Sequence, residues 1–140
     1  MIKFAKLPEN IISLLPEAEV YLGSHGNVLF AYLFGSLAKA DPLPLSDVDI
    51  AVYLKDGENL AESKLELLGG LINILQTDEI DLVVINKAEL PLVMNILKGK
   101  KVIVDKEPFV RHRFESLVMR KYFDFAVKES AQFKRRYLDG

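Results

Sequence analysis

Apolar residues in this chain fall into two rhythms. The first is the short apolar run of a buried strand. VLFAYLF at Val28–Phe34 is unbroken and stops at Gly35-Ser36, so it predicts a strand followed by a turn. Asp49 to Leu54 predicts a second strand, Ile80 to Ile85 a third, and Val102 to Val104 a short fourth at a sheet edge. The second rhythm is the three-to-four spacing of amphipathic helices. It covers residues 9–22 through Ile12, Leu15, Glu19 and Leu22, with Pro16 as a break or restart. It covers 58–75 through Leu60, Lys64, Leu67, Leu68, Leu71, Ile72 and Leu75. Gly69-Gly70 there predicts a kink or a neighbour packed against the backbone. Glu89 to Leu97 reads as a short helix ended by Gly99, a common stop.

From Glu107 a long helix is expected, to about residue 138, with Phe114, Leu117, Val118, Phe125, Phe133 and Tyr137 near one stripe. Those aromatics suit a core or an interface better than base stacking. Alternating helices and strands give one α/β (α+β) domain over residues 1–140. Its core lies at about 28–104, a small mixed β-sheet flanked by helices. His25 sits in the turn Gly23-Ser24-His25-Gly26 and reads as exposed loop polarity.

Composition narrows the picture. At 140 residues, half of them hydrophobic, the chain can bury a real core. The formal net charge of −2 gives no reason to expect direct nucleic-acid binding. The charge is uneven: Glu107–Gly140 carries 8 Lys/Arg against 5 Asp/Glu, while the remainder carries 10 against 15. That tail has either a partner or a solvated face. With no cysteine, a disulfide framework, a thiolate zinc site and a cysteine nucleophile are excluded. MIKFAKLPEN lacks the apolar centre of a signal peptide, and no run approaches the roughly 20 residues of a membrane span. The expected compartment is the cytoplasm.

The chemistry is concentrated at 33–53, LFGSLAKADPLPLSDVDIAVY. Residues two apart in a strand share a face, so Asp47 and Asp49 point together, opposite to Val48 and Ile50. Adjacent carboxylates repel unless a cation lies between them. Mg²⁺ is held by one or two carboxylates together with substrate phosphates. Gly35-Ser36 ends a strand and offers backbone N–H groups and a hydroxyl to phosphate oxygens, and a short helical turn fits just beyond it. Asp81, on the third strand beside Val83 and Ile85, supplies a third carboxylate. Each piece alone has an ordinary reading as a turn, a strand cap or a surface acid. Their order and spacing together point to transfer of a nucleotide from a triphosphate with two metal ions.

Gly35-Ser36-Leu37-Ala38-Lys39-Ala40, Ser46-Asp47-Val48-Asp49-Ile50-Ala51-Val52 and Ile80-Asp81-Leu82-Val83 resemble the DNA polymerase β-like nucleotidyltransferase superfamily. The likeness spans about residues 28–104. It is greatest to the minimal nucleotidyltransferases, the MntA-type antitoxins of HEPN–MNT (type VII-like) toxin–antitoxin pairs. Lys39 and Ala40 replace the usual Arg-Gly of the motif; lysine keeps the charge without the planar fork.

The resemblance implies a nucleotidyltransferase fold and an Mg²⁺-dependent enzyme, with two ions, that moves AMP from ATP to a tyrosine of a HEPN-domain toxin. It implies that Asp47, Asp49 and Asp81 bind metal and carry catalysis. It gives Gly35 and Ser36 the β- and γ-phosphates, with Lys39 and Ser46 as secondary contacts. Two other readings stand beside it: an antitoxin that neutralises by binding alone, and a transferase acting on a small molecule or an RNA end.

Overall fold

A computed structural model describes residues 8, 10–39 and 47–137. The chain runs α1 (Ile11–Ser24), β1 (Val28–Phe34), a short helical turn (Ser36–Ala38), β2 (Val48–Leu54), α2 (Leu60–Leu75), β3 (Ile80–Val84), a second such turn (Ile85–Lys87), α3 (Leu90–Lys98), β4 (Lys101–Asp105) and α4 (Pro108–Tyr137). The strands form one sheet in the order β3-β2-β1-β4. β1 pairs antiparallel with β2 and with β4, and β2 pairs parallel with β3. This is the small mixed sheet expected from the sequence, with β4 at an edge.

The alternation of β1 divides the core in two. Ala31 and Leu33 face α1 and α2, joined by Val48, Ile50, Val52, Leu54, Leu82 and Val104. Phe30, Tyr32 and Phe34 face the other way, with Ala51, Ile85, Val93, Ile96 and Val118. On this second face Phe30 stacks on Tyr53 at a centroid distance of 4.7 Å, and Phe114 of α4 closes on both rings.

The first two helices each correct a detail of the sequence reading, while α3 ends at Gly99 as expected. In α1 the buried positions are Ile11, Ala18 and Leu22, while Ile12 is exposed, and Pro16 lies within a continuous helix. In α2 they are Ser63, Leu67, Leu71 and Leu75, so Ser63 rather than Lys64 faces inward. Asn59 caps α2 by accepting from the Glu62 N–H at 3.1 Å. Gly70 marks a close approach: a Cβ there would stand 2.2 Å from the Tyr21 ring, whereas Gly69 faces open space.

α4 departs most from expectation. It has 30 residues, about 45 Å of helix at 1.5 Å per residue. Val118 is buried, and Val110 and Phe114 pack beside it. Leu117, Phe123, Phe125, Val127 and Phe133 are exposed, so the expected stripe is core only in its first part. Tyr137 lies at the end of α4, and its side chain is outside the described residues. Tyr122 lies under the Lys98 ammonium at the end of α3, so α4 runs back toward the start of β4. Lys101 at that start pairs with Leu33, next to the Gly35 end of the sheet. Among the described residues no helix is long and apolar enough to cross a membrane.

Candidate active site

The site is set by strand register. Phe34 pairs with Asp49 across β1 and β2, and Asp49 pairs with Asp81 across β2 and β3. In-register residues on neighbouring strands point to the same face, roughly 4.8 Å apart in backbone. Asp49 and Asp81 therefore stand side by side. Their face is that of Ala51 and Val83, toward the cluster that α3 and α4 complete. Asp47 precedes β2 by one residue, two before Asp49. Asp47 and Asp49 are half-buried and Asp81 is exposed. Three strand ends thus meet at one corner: the end of β1 and the starts of β2 and β3.

Gly35 closes the corner. Its φ of 69° and ψ of −151° lie in a region that only glycine enters readily. A Cβ at this position would stand 2.0 Å from Asp49 Oδ2. Ser36 then opens the short turn to Ala38, and the Lys39 N–H donates to the Ser36 carbonyl at 3.1 Å. Lys39 is exposed and lines a cavity of about 340 Å³ with Leu33, Leu37, Glu19 and Lys101. Ala40 and Ser46 lie outside the described residues.

Three carboxylates on two adjoining strands are a hard, oxygen-only donor set, which suits Mg²⁺. The space that a Cβ would take at position 35 is occupied by the Asp49 carboxylate. These residues fit such an ion. Among the described residues no three His, Asp or Glu side chains stand gathered as a ready-made metal cluster. What the structure supplies is the backbone alignment of Asp49 with Asp81.

One buried network escaped the sequence reading. The Tyr32 hydroxyl donates to Glu115 at 2.5 Å, and Lys100 Nζ and Arg111 Nη1 donate to the same carboxylate at 2.9 and 3.2 Å. Arg111 also donates to Asp105 at 3.0 Å. Burial, then the Glu115 carboxylate, pushes the Tyr32 phenol well above its ordinary range. Burial alone would raise Glu115, but the bonds from Tyr32 and Lys100 and the nearby cations hold it below its ordinary value. The Arg111–Glu115 spacing of four was legible as a helix pair. Tyr32, 83 residues from Glu115, gave no such signal. His25 also differs from expectation: its side chain is largely buried, with Nε2 3.4 Å from Glu66 and Nδ1 accepting from the Asn27 N–H at 3.3 Å.

The mixed sheet sets Asp49 in register with Asp81 beside a glycine turn. The model of the family described as polymerase beta, nucleotidyltransferase matches residues 17–109, and the chain belongs to that family. None of the curated proteins matches it by sequence. Among solved structures it is similar to a toxin–antitoxin MntA–HpeT mutant with two aspartates replaced by glutamate. That likeness has 24% identity and a TM-score of 0.65, over 92% of this chain and 98% of that one. It is similar to a toxin–antitoxin bound to AMP-PNP, with 24% identity and a TM-score of 0.64 over 90% and 94% of the two chains. It is also similar to a chain of the tri-AMPylated Shewanella oneidensis HEPN toxin in complex with its MNT antitoxin. There the identity is 23% and the TM-score 0.59, over 90% and 92%.

Proposed function

We propose that this protein is the antitoxin of a HEPN–MNT pair. In this reading it is an Mg²⁺-dependent enzyme that moves AMP from ATP to a tyrosine hydroxyl of a cytoplasmic HEPN-domain toxin. The observation that carries the reading is the register of Asp49 with Asp81 on one face beside Gly35. The complexes with an AMPylated HEPN toxin and with AMP-PNP support the acceptor and the nucleotide.

Asp47 and Asp49 would hold two Mg²⁺ ions, and Asp81 would share the ion nearer the acceptor. When bound, the ions neutralise the triphosphate and stabilise the attacking and leaving oxygens. Gly35 and Ser36 present backbone N–H groups and a hydroxyl to the β- and γ-phosphates, with Lys39 and Ser46 as outer contacts. Asp81 orients the tyrosine hydroxyl and draws on its proton as the oxygen attacks the α-phosphorus. A new O–P bond forms, the bond to the β-phosphate oxygen breaks, and pyrophosphate leaves. The test is incubation with α-labelled ATP, Mg²⁺ and the partner toxin. Asp47→Asn and Asp81→Asn should each abolish label transfer; undiminished transfer rejects the site.

A second reading, neutralisation by binding alone, draws on the exposed Phe123, Phe125 and Val127 of α4. It requires that Asp49→Asn still protect cells from the toxin while a chain ending after Val104 does not.

A further inference from the structure

We infer that Gly35 is the steric seat of the Asp49 carboxylate, and that it governs metal binding as well as the approach of phosphate. The inference rests on the proposed function for its consequence, but its geometry stands independently of it. A Cβ at position 35 would lie 2.0 Å from Asp49 Oδ2, 3.0 Å from Cγ and 3.3 Å from Cβ. The first separation is far inside van der Waals contact, and the oxygen has to leave its place. Asp49 sits between Phe34 on one strand and Asp81 on the other, so its backbone is fixed and only its side chain can yield. Rotation about χ1 would carry the carboxylate away from the place it holds beside Gly35. The other positive-φ glycine among the described residues, Gly57 at 85°, has nothing within 4 Å of its would-be Cβ. Gly57 therefore separates backbone strain from the loss of a seat.

Gly35 acts through Asp49, so it is a positioning residue. A glycine needed only for close approach of phosphate would affect triphosphate binding and leave a bare metal ion untouched. A seat predicts the opposite order of effects: the metal suffers first, with no nucleotide present.

Two readouts test this on the full chain. The first is thermal unfolding of the wild type, Gly35→Ala, Asp49→Ala and the double variant. Asp49→Ala removes Oδ2 and Cγ and leaves the 3.3 Å approach to Cβ, which a shift of a few tenths of an ångström relieves, while the strain of a side chain at φ 69° is common to both backgrounds. The fall in melting temperature caused by Gly35→Ala should therefore shrink by about half or more in the Asp49→Ala background, since residues in contact do not add independently. Should Gly35→Ala fail to fold while the double variant folds, the seat is upheld. Equal falls in both backgrounds, or failure of both variants to fold, overturn it.

The second readout is Mn²⁺ binding without nucleotide, followed by electron paramagnetic resonance below the melting point. Gly35→Ala should bind roughly 10–100-fold more weakly, the range for residues that orient a metal ligand. Gly57→Ala should bind like the wild type. Equal affinity in Gly35→Ala and the wild type overturns the inference. No Mn²⁺ uptake by the wild type, with the unfolding coupling intact, upholds the seat and overturns its hold on metal binding, while the label-transfer assay decides the proposed function separately.

Discussion

Replacing Glu115 with glutamine should loosen α4 from the sheet that carries the aspartates. The carboxylate receives Tyr32 at 2.5 Å, Lys100 at 2.9 Å and Arg111 at 3.2 and 3.3 Å, and its side chain is 13% exposed. Glutamine keeps one acceptor oxygen and turns an N–H₂ toward a neighbouring donor. Hydrogen bonds to a charged group contribute about 1.5–3 kcal/mol each, and a retained neutral bond about 1. Removing the charge while Lys100 and Arg111 stay should therefore cost about 2–4 kcal/mol, less than a fully dry pair because both cations still touch water. For a chain of this size that is a fall of about 6–15 °C in melting temperature.

The pH dependence gives a second check. Glu115 titrates below its ordinary value of 4.5 in the folded protein. Its contribution is complete above the unfolded value and is lost as pH falls through the lower folded value. Melting curves of wild type and Glu115→Gln should therefore be far apart at neutral pH and converge in acid. A difference under about 0.5 kcal/mol at pH 7, or a gap that does not close in acid, refutes the clamp.

Other substitutions test the packing. Gly70→Ala should destabilise by about 1–3 kcal/mol through its collision with Tyr21, while Gly69→Ala, facing open space, should stabilise by up to about 1 kcal/mol; chemical denaturation separates them. Val118→Ala should cost about 2 kcal/mol, whereas Phe123→Ala should change stability by less than about 0.5 kcal/mol because its ring is 67% exposed. Equal losses at the two positions would contradict the boundary between the packed and projecting parts of α4.

The strand-level fold was open to sequence reading because its signals are local. β1 matches its apolar run residue for residue, since Gly35-Ser36 ends the run abruptly. The period of two assigned Asp47 and Asp49 to one face; of the two only Asp49 lies within β2, where the parallel pairing aligns it with Asp81. Helix faces were less legible. Ile11 replaces Ile12, and Ser63 replaces Lys64, because three-to-four spacing tolerates a rotation that only the packed sheet resolves. The exposure of Phe125 and Phe133 could not be read from spacing either: an apolar stripe continues whether or not the sheet beneath it does. The Tyr32–Glu115 bond and the contact of Gly35 with Asp49 are long-range, and no local pattern announces them.

Calorimetric titration with Mg²⁺ and AMP-PNP, of the wild type and of Asp81→Asn, bears most directly on the aligned aspartates. Saturable uptake by the wild type, weakened roughly tenfold or more in the variant, is the predicted result. Equal uptake by both, or none by the wild type, would contradict it.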